Sequence, residues 1–293
     1  MKLNLSKENT IKNILFIINL IAILITVSIF IILLKESIAF FTKVPFLNFI
    51  TGKTWTPLFK PQNFGVLPLV AGTFTIVIFS SLISIPIGLL SAIYISEYAS
   101  RRMRNIVKPI IEILGGIPSI VYGYFALNMI TPIIRSIIPN VSIYNALSAA
   151  IAVGIMTIPM VMSLSEDAMK AVPKSLRENA YALGLTKFEV VRGVVIPAAF
   201  SGIVASFILA ISRAIGETMI VALAAGSTPK LTLSPFESIQ TMTGFIVQIS
   251  QGDVVQGSME SQSLYAVAMV LFVITLGMNL LSKRVVDKFR EEY

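Results

Sequence analysis

The sequence predicts an all-α fold, a multi-pass transmembrane helical bundle with six spans. Its 293 residues are 55% hydrophobic and 13% charged, and the mean hydropathy is +0.85, which is typical of a chain solvated largely by lipid. Six stretches contain the roughly 20 apolar residues that a hydrocarbon core about 30 Å thick requires. The absence of Cys and His excludes disulfides, thiolate chemistry and imidazole ligation, so no metal site is predicted.

The six candidate spans follow one another along the chain, and only the fifth contains charged residues. They are Asn13–Leu34, Val66–Ile95, Ile113–Ile134, Val141–Ser165, Ala198–Leu223 and Ser263–Ser282. The first span is too long for a signal peptide and lacks a small-residue cleavage site, which predicts a retained anchor.

The basic residues beside the spans predict the orientation. If the N-terminus is cytosolic, 16 Lys and Arg residues flank the spans on the cytosolic side and 6 lie on the opposite side. The positive-inside rule therefore predicts cytosolic N- and C-termini in a bacterial cell membrane. The net charge of +8 is explained by this clustering beside membrane lipid, and no nucleic-acid partner is expected.

A polar segment between the fourth and fifth spans has the local signals of a short helix. Ser175 precedes Glu178 by three residues, which is the spacing of a capping box, and Gly184 supplies a left-handed stop. These signals predict a helix over Leu176 to Leu183. So short a helix gains too few hydrogen bonds to be stable alone, so it requires its own domain and a partner.

The predicted helix has a small apolar stripe. Leu176, Ala180 and Leu183 recur at i, i+4 and i+7, a pattern that suits a groove on another protein. The alternative is a surface helix that lies on lipid headgroups.

A second short amphipathic helix is expected on the outer side. Ser234-Pro235-Phe236-Glu237 has Ser at the N-cap, Pro at the first helical position and Glu at the third. Apolar residues then recur at helical intervals up to Gly252.

The charged pair in the fifth span is a candidate substrate site. Arg213 lies about 24 Å beyond Pro197 if the helix is straight, well inside the membrane. Glu217 follows at i+4, so the two side chains share a face with the small residues Gly202, Ser206, Ala210 and Ala214. The pair is either a buried ion pair that fixes helix register or a bidentate site for a tetrahedral oxyanion. We favour the second interpretation because an intramembrane charge is costly to keep without a use.

The polar segment resembles the EAA loop of bacterial ABC importer permeases. Glu178, Ala180, Gly184 and Pro197 fall in the register of that loop, with Asn179 where the family usually has Ala. The resemblance implies that the segment docks a cytosolic ATPase, with Leu176 and Leu183 of the apolar stripe also among the coupling residues.

Further motifs are distributed over nearly the whole chain. They are Arg213-Ala-Ile-Gly216-Glu217-Thr218-Met219, Trp55-Thr-Pro57, Phe64-Gly65-Val-Leu-Pro68, Ser96-Glu97-Tyr98-Ala99-Ser100-Arg101-Arg102, Gly115-Gly116-Ile117-Pro118-Ser119 and Tyr122-Gly123. With these motifs the chain resembles the phosphate-specific permeases, in the PstC branch more than in the PstA branch. Ser100, where Pro is expected, is a minor departure.

This resemblance implies a type I ABC permease (MetI-like) core and a set of partners. These are a homologous PstA-like permease, a PstB-like ATPase dimer that binds ATP and Mg, and a PstS-like phosphate-binding protein, with no cofactor in this chain. Arg213, Glu217 and Thr218 are the expected substrate-pathway residues. In this hypothesis Arg213 donates two parallel hydrogen bonds to phosphate. Glu217 neutralises Arg213 or accepts the proton of phosphate, which would exclude sulfate.

Three regions are expected along the chain. Residues 1–68 form a cytosolic tail, the first transmembrane helix and an extracytoplasmic loop. Residues 69–282 form the permease domain with a coupling loop at 166–197, and residues 283–293 form a cytosolic tail.

The sequence argues against other classes of protein. The chain is not expected to be an enzyme, since Leu47 stands where a P-loop before Gly52-Lys53-Thr54 requires Gly, and no nucleophile elbow is found. A permease for sulfate or molybdate and a secondary anion transporter remain alternatives.

Overall fold

The computed structural model describes the backbone of residues 5–289 and the side chains of residues 11–288, and α-helices are its main regular structure. The helices are α1 (Leu5–Phe41), α2 (Phe46–Thr51), α3 (Leu67–Ile93), α4 (Arg101–Gly116), α5 (Ser119–Phe125), α6 (Thr131–Ile137), α7 (Ala146–Ala171), α8 (Lys174–Ala182), α9 (Lys187–Val190), α10 (Ile196–Ala198), α11 (Phe200–Ile215), α12 (Met219–Ala224), α13 (Met242–Gln251) and α14 (Met259–Phe289). Two short antiparallel strands, β1 (Trp55–Thr56) and β2 (Asn63–Phe64), form a hairpin.

The helices confirm the predicted bundle. Within the described part of the chain, five segments are long and apolar enough to cross a membrane. A sixth crossing results if the pair Lys187–Ala198 and Phe200–Ile215, bent by 69°, counts as one span. Helices α3 and α7 form the most extensive helix pair and run parallel, since Gly154 packs against Ser80 and Gly88 packs against Val161.

The bundle has two ends, which we call the α8 end and the Trp55 end after the residues found there. Helix α1 runs from the α8 end to the Trp55 end and α14 runs back, as the bond from Ser37 Oγ to the Tyr265 carbonyl (2.9 Å) shows. The described chain therefore begins and ends on the α8 side. Residues 1–4 and 290–293 of the two predicted tails lie outside the described residues, and the predicted region boundaries remain predictions.

The predicted third span begins too early. Residues 113–116 belong to α4, and the crossing starts only at Ser119. The backbone turns at Ile117 and Pro118, which have extended ψ angles, because a proline disfavours helical geometry in the residue before it. Helix α4 is amphipathic and was not predicted, since its basic residues were assigned only to a span flank.

An aromatic cluster holds the Trp55 end together. Trp55 is 1% exposed and packs edge to face against Phe245 at 4.9 Å and against Phe49 and Phe64 at 6.2 Å. Phe40 at the end of α1 joins the same cluster. The hairpin is thereby packed against α1, α3 and α13.

The predicted outer helix is confirmed in its second part as α13, which ends at Gln251 just before Gly252. Its predicted start at Ser234 is wrong, because residues 235–241 are not helical and α13 begins only after the N-cap Thr241. The carbonyls of Pro235 and Glu237 instead accept hydrogen bonds from the Leu147 N–H (2.7 Å) and the Ala146 N–H (3.1 Å). They satisfy donors in the first turn of α7 that have no partner within the helix. That tertiary role overrides the local capping signal.

Candidate functional site

Helix α8 begins two residues earlier than predicted. It spans Lys174–Ala182 with Pro173 at its N-cap, so Ser175 lies within the helix and is not the cap. The stop is confirmed, because Gly184 has φ +82° and its N–H donates to the Tyr181 carbonyl (2.9 Å).

The predicted stripe divides into residues that face this chain and one that faces away. Ala180 is buried and Leu176 is half-buried in a cluster with the ends of α3 and α7. Leu183 is 82% exposed. Glu178, Gly184 and Pro197 are exposed as well.

Sequence reasoning missed the other apolar side chains at this surface. Tyr181, Leu185 and Phe188 are exposed beside Leu183, on α8, the following turn and α9. We call these four residues the apolar α8 surface. A signal was present, since all four lie within the polar segment already identified, but two residues of the i, i+4, i+7 stripe point inward.

The predicted fifth span is not one continuous helix. It bends by 69° at Ala199, near its predicted start, so Pro197 and Arg213 do not lie on one straight helix. It breaks again after Ile215, where Gly216 and Thr218 separate α11 from α12. Arg213 and Glu217 therefore do not share the face of one regular helix.

The ion pair nevertheless forms across that break. Arg213 Nη1 donates to Glu217 Oε2 at 2.6 Å. The other carboxylate oxygen accepts from the backbone N–H groups of Met219 (3.2 Å) and Ile220 (3.3 Å) at the start of α12. The side chain of Glu217, 2% exposed, thus caps α12 and holds the guanidinium at once.

Arg213 lies at mid-height of the bundle. Its Nη2 contacts the sulfur of Met156, near the middle of α7, at 3.6 Å. Its side chain remains 41% exposed, so N–H donors remain for a ligand after the bond to Glu217. Met156 could not be paired with Arg213 from the sequence, because the contact joins two distant spans.

Small residues on α11 face the same neighbour. The Ser206 and Ser165 hydroxyls are 2.7 Å apart, and a Cβ added at Gly202 would lie 2.5 Å from the Ala168 Cβ. The prediction that the stripe admits another backbone is confirmed, with α7 as that neighbour.

Thr218 is half-buried and its hydroxyl donates to the Gly216 carbonyl (3.0 Å) within the break. The Glu217 carbonyl accepts from Thr243 Oγ1 (2.6 Å) on α13, a contact that sequence reasoning missed. The break is therefore fixed by α13 from one side and by the Glu217 cap from the other.

Residues 84–291 match the family described as binding-protein-dependent transport system inner membrane component. The chain is 36% identical over 229 residues to the probable ABC transporter permease protein YqgH of Bacillus subtilis, covering 78% of this chain and 74% of that protein. It is 32% identical over 247 residues to the phosphate transport system permease protein PstC of Mesorhizobium japonicum, with the same coverage.

Solved structures with the same fold are more distant in sequence. A bacterial ABC transporter that imports the polysaccharide alginate matches with a TM-score of 0.63 at 15% identity, over 96% of this chain and 99% of that chain. The MetNI methionine ABC transporter in an inward-facing conformation matches with a TM-score of 0.56 at 20% identity, over 78% and 95%. These likenesses confirm the type I ABC permease fold.

Proposed function

Because the chain belongs to the family of binding-protein-dependent transport system inner membrane components and is similar in sequence to PstC-type permeases, we propose that it is the transmembrane permease subunit of an ATP-driven phosphate importer. It forms the phosphate pathway with a homologous PstA-like permease and receives phosphate from a PstS-like binding protein. A PstB-like ATPase dimer docks at the α8 end and binds the ATP and Mg, so this chain is a transport subunit. The α8 end and both termini are then cytosolic.

The observation that carries the proposal is the partly exposed guanidinium of Arg213 at mid-height of the bundle. A charge at that depth is costly in lipid, and here a buried carboxylate orients it without covering it. A planar guanidinium with free donors matches the oxygens of a tetrahedral oxyanion bidentately. This geometry supports phosphate binding by Arg213 within the pathway.

Glu217 has its oxygens occupied by Arg213 and by the start of α12. We therefore propose that its main role is to position Arg213. The hypothesis that it accepts the proton of phosphate stays a prediction, and competition by sulfate tests it.

The apolar α8 surface supports ATPase docking. Leu183 and Phe188 are largely exposed on a segment rich in polar residues, which is the pattern of a surface that a partner covers. The buried Ala180 holds α8 to the ends of the spans, so the segment is presented rigidly.

Transport by the reconstituted complex tests the pathway. Arg213→Lys replaces a fork by a point charge and is expected to lower labelled-phosphate uptake at least tenfold. Glu217→Gln, which weakens the hold on Arg213, is expected to lower it less. Arg135→Lys, at the Trp55 end of α6, is the control and should retain uptake. Near-normal uptake by both pathway variants would remove the pair from the mechanism.

Two alternatives have their own outcomes. A sulfate or molybdate permease would show those anions displacing labelled phosphate at equal or lower concentration. A secondary anion transporter would continue uptake after removal of the ATPase subunits, whereas the proposed importer would stop.

A further inference from the structure

Arg177, on α8, contacts two spans through its guanidinium. Its Nη1 donates to the Val172 carbonyl (2.8 Å), and its Nη2 donates to the Met169 carbonyl (2.7 Å) at the end of α7. The same Nη2 lies 3.2 Å from Oε1 of Glu97, in the π-helical turn that ends the α3 span. One guanidinium thus ties α8 to the ends of the two helices that form the largest helix pair.

The chemistry of these contacts requires arginine. The last carbonyls of a helix lack partners within the helix and carry its partial negative charge, so a cation with several donors is favourable there. The Arg177 side chain is 18% exposed and that of Glu97 is 9% exposed, which limits screening by solvent. A lysine has a point charge and cannot reproduce the planar fork that joins two carbonyls and a carboxylate.

Arg104 provides a matched comparison within the same end of the bundle. It also caps carbonyls at the end of a span, donating to Ile95 at 2.8 Å and to Ser96 at 2.7 Å. It lies on α4, however, and makes no contact that joins α8 to the spans. The two arginines therefore share their chemistry and differ in the element that carries them.

We propose that Arg177 is a positioning residue that transmits displacement of α8 to α3 and α7 together, and this inference rests on the proposed function. Helix α7 carries Met169 at its end and Met156 near its middle, and Met156 contacts Arg213. A rigid path of one helix and two side-chain contacts thus joins the docking segment to the substrate pathway. Loss of Arg177 leaves the apolar α8 surface in place but loosens its connection to that path.

The test compares Arg177→Lys with Arg104→Lys in the complete transporter in proteoliposomes. Labelled-phosphate uptake and ATP hydrolysis are measured together, with co-purification of the ATPase as the measure of docking. We expect Arg177→Lys to lower the phosphate transported per ATP at least fivefold while the ATPase still co-purifies. Arg104→Lys should change that ratio less than twofold.

Glu97→Gln is the second variant, because it removes the charge on the α3 side and leaves the α7 carbonyls in place. It should lower the ratio by about twofold to threefold, and it decides the matter if Arg177→Lys does not assemble. An unchanged ratio in assembled Arg177→Lys, an equal fall in Arg104→Lys, or an unchanged ratio in Glu97→Gln when Arg177→Lys does not assemble would overturn the inference. Absence of ATP-driven uptake in the wild-type complex would instead overturn the proposed function.

Discussion

The two ends of the bundle are held together by different forces. At the Trp55 end, aromatic rings pack edge to face in a buried cluster, and a polypeptide segment completes the first turn of α7. At the α8 end, arginines cap the ends of α3 and α7, and the buried Glu166 carboxylate of α7 lies 2.5 Å from both Lys108 and Lys170.

The difference separates stability from communication. Apolar burial is non-directional and is lost only when the packing is lost. The strength of a charged hydrogen bond depends on its distance and angle, so a shift of about 1 Å at one partner weakens the bond or displaces the other partner. We expect substitutions at the Trp55 end to change mainly the free energy of unfolding, and substitutions at the α8 end to change mainly ATPase docking and coupling. The expected change in unfolding free energy is largest at the Trp55 end and smallest at the exposed residues of α8.

Trp55→Ala should have the largest effect. It removes a buried indole that contacts three phenylalanines and should lower the free energy of unfolding by about 3–5 kcal/mol. Trp55→Phe is the control. Among the described residues the indole Nε1 has no hydrogen-bond partner, so Phe should retain more than half of the stability lost in Ala. Thermal unfolding in detergent measures both, and equal losses would contradict the packing argument.

Asn145→Ala should cost about 2 kcal/mol of unfolding free energy. The buried Asn145 Oδ1 accepts from the N–H and the hydroxyl of Ser148, both at 2.8 Å. Ala therefore leaves the Ser148 N–H without its acceptor and the Ser148 hydroxyl with only the bond that it accepts from Thr131 Oγ1 (2.7 Å). Asn145→Asp keeps that acceptor and should lose less. The same unfolding measurement applies, and a neutral Ala variant would show that the segment 235–239 caps α7 alone.

Gly184→Ala should cost about 1 kcal/mol, because an L residue is strained at φ +82°. An added Cβ would have no neighbouring atom within 4 Å, so the loss of unfolding free energy would come from backbone strain alone. Gly193→Ala is the matched control, with the same open space and no positive φ, and should be neutral or slightly stabilising. Equal costs at both glycines would refute the argument from the left-handed stop.

Leu183→Asp should change the unfolding free energy by less than about 0.5 kcal/mol, since the side chain is 82% exposed. It should nevertheless abolish co-purification of the ATPase, because a charge is placed in the proposed contact. Val255→Asp, 75% exposed beyond α13 on the Trp55 side, should retain the ATPase. If both variants lost it, the docking surface would not be specific to the α8 end.

Most of the fold could be predicted because hydrophobic length alone identifies a span. The errors fall where a local signal competes with a distant contact. Ser234 and Pro235 match a helix start, yet the carbonyls that follow accept hydrogen bonds from the first turn of α7 and are therefore not used in a helix of their own. The other errors are helix breaks that were not predicted, one at Pro118 before α5 and one at Gly216 after α11.

The candidate site was predictable in its residue types and not in its geometry. A costly intramembrane charge identifies Arg213 without any structure, since few residue types are so unfavourable in lipid. The helix break that makes Glu217 a cap, and the contacts with Met156 and Thr243, depend on other spans. The inward and outward residues of α8 likewise could not be told apart until α3 and α7 were placed beside it.

The segment over Pro235–Ile239 has a consequence for biosynthesis. Translation releases α7 from the ribosome long before this segment, so the N–H groups of Ala146 and Leu147 lack their protein acceptors until another crossing has been made. The hydrogen bonds at the start of the fourth crossing therefore form only after the fifth crossing has been inserted. A ribosome stalled between these two points would hold an insertion intermediate whose α7 amides exchange hydrogen rapidly, and release would protect them.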